Sequence, residues 1–145
     1  MSLSAQRMVL DTHVWLDWLV FNDPSVAPIR RAREEGRAAL LIDGPCEAEL
    51  ARVLAYDLGR FSMDAGVQAE RLEQCRRLAE RIVGELSDEE RARLPRCRDR
   101  DDQIFLEAAL AGRAHLLLTK DRALLDCARA ALPFRIVTPA QYAES

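Results

Sequence analysis

The sequence predicts a single α/β domain, a three-layer α/β/α sandwich in which helices cover a central parallel sheet. Three observations carry that expectation. Short apolar runs at 7–10, 39–42, 115–119 and 135–137 read as strands, and helix-like patterns separate them. Strands joined through helices pair in parallel by right-handed crossovers. A length of 145 residues with 49% hydrophobic content suits one core, so residues 1–145 are expected to fold as one domain.

Each element has a local reason. Residues 7–10 end abruptly at Asp11, and residues 12–21 then form an almost continuously apolar helix that must be deeply buried. Asn22-Asp23-Pro24 stops it, and a second helix over 25–35 with a basic outer face ends at Gly36. After the strand Ala39–Ile42, Asp43-Gly44-Pro45 makes a turn with proline at a first helical position, opening a helix to about Asp57. Val67, Leu72, Cys75, Leu78, Ala79 and Ile82 recur at helical spacing, which predicts one long amphipathic helix over 64–84. Ser87-Asp88-Glu89-Glu90 is a capping-box pattern, and residues 95–101 are a highly charged loop. A helix over 102–111 ends at Gly112, followed by the strand His115–Thr119, a helix from Arg122 to Ala131, a last strand Arg135–Val137 and a polar end.

Composition narrows the function. The net charge is −3, so no global positive field advertises a polyanion partner, and such a partner needs a local patch or a bound cation. Lys120 is the only lysine beside many arginines, whose clusters are ordinarily solvated helix faces. Cys46, Cys75, Cys97 and Cys127 form no Cys-x-x-Cys pair and follow no signal peptide, which predicts reduced thiols in a cytoplasmic protein. With His13 and His115 the only histidines, a structural zinc site is disfavoured. No apolar run approaches the ~20 residues of a membrane span, so no membrane partner is expected.

In parallel α/β sheets the site lies beyond the carboxyl ends of the strands. Asp11 follows the first strand, Asp43, Glu47 and Glu49 the second, and Thr119 and Asp121 the strand near 116–118; Asp99, Asp101 and Asp102 begin the preceding helix. Carboxylates gathered without matching cations repel, and a divalent cation best explains such a cluster. Oxygen-only ligands select Mg²⁺ or Mn²⁺, ions that serve phosphodiester hydrolysis. On helical periodicity Asp102 falls in the stripe of Phe105, Leu106, Ala109 and Leu110 and Asp101 points away, so Asp102 is the better ligand and Asp101 the better cap. Glu47 and Glu49 flank the Cys46, Leu50, Val53 and Leu54 stripe on either side, and periodicity leaves that choice open. Asp121 reads equally as a helix N-cap, and Thr12 and Thr119 as caps or as groups supporting the acids.

Four segments carry a resemblance. Val9-Leu10-Asp11-Thr12-His13-Val14, Glu49-Leu50-Ala51-Arg52-Val53-Leu54, Cys97 through Leu106, and Leu118-Thr119-Lys120-Asp121-Arg122 resemble, in order, the four acidic motifs of PIN-domain ribonucleases, closest to the toxin components of prokaryotic type II toxin-antitoxin pairs. The resemblance implies a Rossmann-like sheet, an Mg²⁺ or Mn²⁺ site and endoribonuclease activity on RNA, with Asp11, Glu49, Asp102 and Asp121 as catalytic and metal-holding acids. It thereby chooses Glu49 over Glu47. It also implies an antitoxin partner and a homodimer. Thr12 and Thr119 would support the acids, and Arg98, Arg100, Lys120 and Arg122 flank them as candidates for RNA phosphate contacts. The chain departs at His13, where many relatives have Asn, and at Ala123, where many have a further Asp at a second metal position. One rival reading is a catalytically weak module acting through a protein partner; another is a different acid-metal phosphohydrolase.

Overall fold

The computed structural model describes residues 4–129 and 131–144 of the chain. Five strands form one wholly parallel sheet: β1 Gln6–Leu10, β2 Ala38–Ile42, β3 Ala79–Arg81, β4 Leu116–Leu118 and β5 Arg135–Val137, in the order β3-β2-β1-β4-β5. Helices flank the sheet, giving the three-layer α/β/α arrangement that the sequence predicts. The central strands read Met8-Val9-Leu10, Leu40-Leu41-Ile42 and Leu116-Leu117-Leu118, all buried, as strands covered on both faces must be.

Helix α1, Thr12–Leu19, follows β1 directly and buries Val14, Trp15, Leu16, Trp18 and Leu19. That apolar segment is therefore core rather than a free interface. A 3-10 turn at Pro24–Val26 leads into α2, Ala27–Glu34, which packs on β2 and ends where Gly36 adopts a positive φ of 76°. Helix α3, Gly44–Leu54, is capped by Asp43, whose side chain accepts from the Cys46 amide at 3.0 Å. All four cysteines are buried and free, and burial raises the thiol of Cys75 to about 12 and of Cys97 to about 11, so the thiols stay protonated.

The predicted helix over 64–84 is a correction: α4 spans Ala65–Leu78 and the chain then extends as β3. Ala79 adopts extended backbone, and Ala79, Glu80 and Arg81 pair with Leu40, Leu41 and Ile42, so the ladder offered by the edge of β2 overrides helical propensity. The capping box at Ser87 forms as expected and opens α5, Asp88–Ala92. Helix α6, Gln103–Ala111, crosses β1 and β4 and is preceded by a 3-10 turn at Arg100–Asp102. Asp99, not the expected Asp101, caps that turn by accepting from the Asp101 amide at 3.0 Å. The helix expected from Arg122 to Ala131 runs as α7, Arg122–Asp126, and a 3-10 turn at Cys127–Arg129; position 130 lies outside the described residues. The polar end contains a short α8, Pro139–Ala143, opened by a capping box between Thr138 and Gln141.

Leu106 on α6 is fully buried among the helices and strands that frame the site. Leu106→Ala is expected to lower stability by about 3 kcal/mol, the usual range for a core leucine that leaves a cavity. Urea unfolding checks it, and a loss below about 1 kcal/mol would show that the surroundings collapse into the space.

Candidate active site

The strand order reverses between β1 and β4: the chain leaves β1 toward β2 and leaves β4 toward β5. A crevice opens beyond the carboxyl ends of neighbouring strands whose connections diverge in this way. It is a cavity of about 460 Å³ lined by Asp11, Thr12, His13, Leu16, Glu49, Val53, Asp102, Phe105, Lys120 and Asp121. Four carboxylates from β1, α3, the turn before α6 and the loop after β4 thus reach one cavity.

Asp11 is 4% exposed. It caps α1, accepting from the Val14 amide at 2.9 Å through Oδ1, while the Thr119 hydroxyl donates to its Oδ2. Burial pushes its pKa up and these hydrogen bonds pull it down, with burial the larger effect. Thr119 is fully buried, and its Oγ1 also accepts from the Asp121 amide at 2.9 Å. One hydroxyl therefore ties the first acid to the backbone of the last. The Thr12 hydroxyl is buried without a hydrogen-bond partner.

Asp121 is the N-cap of α7, accepting from Ala123 at 2.8 Å through Oδ1, so the capping role is real and coexists with a place in the cavity wall. Asp102 sits at the N-terminus of α6 but makes no capping bond. Its Oδ2 is buried with no hydrogen-bond partner. Burial first, then the negative charges of Asp121, Asp99, Asp11 and Asp101, push its pKa to about 7. A buried carboxylate oxygen without a partner, beside three further acids in one cavity, is chemically compatible with a hard divalent cation such as Mg²⁺ or Mn²⁺, for which an oxygen-only donor set is suited. Among the described residues no compact group of three or more metal-ligating side chains is preassembled.

The geometry separates the two glutamates. Glu47 turns away from the cavity and pairs with Arg76 at 2.6 Å and with Arg81. Glu49 lines the cavity, held bidentately by Arg52 at 2.6 and 3.1 Å. Of the candidate phosphate contacts only Lys120 lines the cavity; Arg98 pairs with Asp126 at 3.1 Å, and Arg100 and Arg122 lie outside the lining.

Asp17 is the residue that sequence reading passed over. Its side chain is 3% exposed, accepts from Lys120 Nζ at 2.6 Å, and lies 3.6 Å from His13 Nε2. The available signal was one acid inside an otherwise apolar helix, four residues after the only histidine there.

The raised pKa of Asp102 has a measurable sign. An acid whose folded pKa exceeds its unfolded value binds its proton more tightly in the native state, so stability present below about pH 4 is lost as pH rises to about 7. Cation-free protein is expected to lose about 1–2 kcal/mol over that window, the undiscounted shift being reduced for solvent screening in an open cavity. Denaturant midpoints at pH 5 and 8 check it; a higher midpoint at pH 8 would contradict it.

Acids from four parts of the chain meet at the topological switch point of a parallel α/β/α domain. The chain belongs to the PIN-domain family, a family of nucleases: the PIN domain family model matches residues 7–123, a span containing all four acids. The fold is similar to that in the crystal structure of PAE2754 from Pyrobaculum aerophilum, at 14% identity and a TM-score of 0.60, over 98% of this chain and 94% of that one. No curated protein matches the chain. Among the described residues, no helix is long and apolar enough to cross a membrane.

Proposed function

We propose that the protein is a metal-dependent endoribonuclease that hydrolyses RNA phosphodiester bonds, with Asp11, Glu49, Asp102 and Asp121 holding Mg²⁺ or Mn²⁺. The observation that carries this is the orphaned, charge-repelled carboxylate of Asp102 in a cavity shared with the other three acids. A bound divalent cation supplies positive charge at the phosphate and acidifies water, which also answers how an acidic protein engages a polyanion. The chain's own residues do the rest. Thr119 fixes the Asp11 carboxylate and the Asp121 backbone in one register. Leu16, Val53 and Phe105 give the cavity apolar walls that strengthen electrostatic interactions inside it. Lys120 is the cavity's ammonium and the nearest contact for a phosphate oxygen. With Ala123 standing where many relatives carry a further acid, the four carboxylates are as compatible with one ion as with two.

The same reading extends to a cytoplasmic toxin of a toxin-antitoxin pair, neutralised by an antitoxin protein and acting as a homodimer. Its support is the motif resemblance, and the adjacent reading frame is its direct check.

The purified chain is expected to cleave structured RNA in Mn²⁺ and to stop when EDTA is added. Cleavage that continues in excess EDTA would exclude the metal-dependent mechanism.

A further inference from the structure

The cavity holds one ammonium among four carboxylates, yet that ammonium bonds to none of them. Lys120 immediately precedes Asp121 and lines the same cavity as Asp11, Glu49 and Asp102, and a lysine stem is long and flexible enough to reach a neighbouring acid. Instead its Nζ is drawn to Asp17 at 2.6 Å, across 103 positions of sequence. Asp17 projects from α1, one of its oxygens taking Lys120 and the other lying 3.6 Å from His13 Nε2. At 3% exposure it is buried among the apolar side chains of α1, where an unpaired carboxylate is costly, so it holds its cation firmly. Lys120 itself stays about one third exposed, with N–H donors that Asp17 does not take.

We infer that Asp17 is a positioning residue that holds Lys120 against α1, keeping its ammonium off the acid cluster so that Asp11, Asp102 and Asp121 stay open to a divalent cation. A free ammonium beside repelling carboxylates would neutralise one of them and compete with the cation, just as Arg52 already occupies Glu49. Asp17 prevents that competition and keeps Lys120 on the cavity wall, where a phosphate can meet it. The inference rests on the metal-binding reading of the four acids.

The experiment is calorimetric titration of Mn²⁺ into the full chain, its Asp17→Asn and Lys120→Met variants and the double variant, with thermal melting of each. Asp17→Asn is expected to weaken Mn²⁺ binding about tenfold, because the released lysine turns onto the acids. The double variant is expected to regain affinity within about twofold of the original chain, since no lysine remains to compete. A purely structural Asp17 predicts the opposite, a double variant at least as weak as Asp17→Asn, and that result overturns the inference. So does unchanged affinity in Asp17→Asn. Lys120→Met tests the same point should Asp17→Asn fail to fold: affinity within about twofold supports a lysine already held away, and a gain of tenfold or more shows it competing despite Asp17. Absence of Mn²⁺ binding by the unaltered chain overturns the metal-site reading itself, which separates the two failures.

Discussion

Asp11→Asn is expected to lower metal-dependent RNA cleavage by about a thousandfold or more while leaving the fold intact. The substitution removes one charge and almost no volume. Asparagine keeps a carbonyl oxygen to accept from the Val14 amide, but its NH₂ cannot accept the proton that the Thr119 hydroxyl donates to Asp11 Oδ2, so that bond is replaced by donation from the NH₂ to Thr119 Oγ1. The cap of α1 therefore survives, and the tie to β4 is weakened. What is lost is the anionic oxygen that burial and two hydrogen bonds hold at the cavity's inner wall. Relief of a buried charge offsets the acceptor lost to Thr119, so the melting temperature should stay within a few degrees of the original chain's. Cleavage of labelled RNA in Mn²⁺, measured beside a circular-dichroism melt, checks both parts. Activity within tenfold of the original chain would remove Asp11 from the chemistry and with it the assignment of the cavity.

Much of the fold was legible because the central strands are unambiguous. Runs such as Leu116-Leu117-Leu118 have no helical alternative between Gly112 and the following turn, and parallel topology follows from the helices between them. The edges were not legible. Ala79-Glu80-Arg81 carries a helical period and becomes a strand because β2 offers an unsatisfied ladder, a fact of tertiary structure that the local sequence does not contain. The short α8 was missed for a different reason: its capping box, Thr138 to Gln141, was present but attached to no apolar stripe.

The acids at the strand ends were legible as a group because position relative to the sheet is topological. Periodicity alone did not choose between the two glutamates; the motif resemblance did. Glu47 and Glu49 flank one stripe, and only Arg76 and Arg81, from α4 and β3, take Glu47 out of the cavity. Asp17 escaped because a buried acid in a helix makes no pattern of its own; its meaning lies in Lys120, 103 residues away. The capping role of Asp99 in place of Asp101 follows from a 3-10 turn that a 3.6-residue period does not describe.

Asp102→Asn should separate stability from function in opposite directions. In the cation-free protein the Asp102 carboxylate is raised to about 7 by burial and by four neighbouring acids, and its buried oxygen has no partner. Replacing it by a neutral amide relieves that repulsion, so near pH 8 the variant is expected to be more stable than the original chain by about 1 kcal/mol, the shift being discounted for screening in an open cavity. The same replacement removes one of the four acids proposed to hold the ion, and cleavage is expected to fall by a hundredfold or more. Two controls follow from the sign of the linkage. The variant should lose much of the stability change between pH 4 and 7, because Asp102 is a main titrating cause of it. Saturating Mn²⁺ should raise the melting temperature of the original chain well above that of the variant, since only a species that binds the ion is stabilised by it. A variant that is less stable without metal at pH 8, yet gains as much from Mn²⁺ as the original chain, would place Asp102 in the scaffold. The opposite pattern is what a carboxylate held against its own electrostatics for the sake of a cation must show.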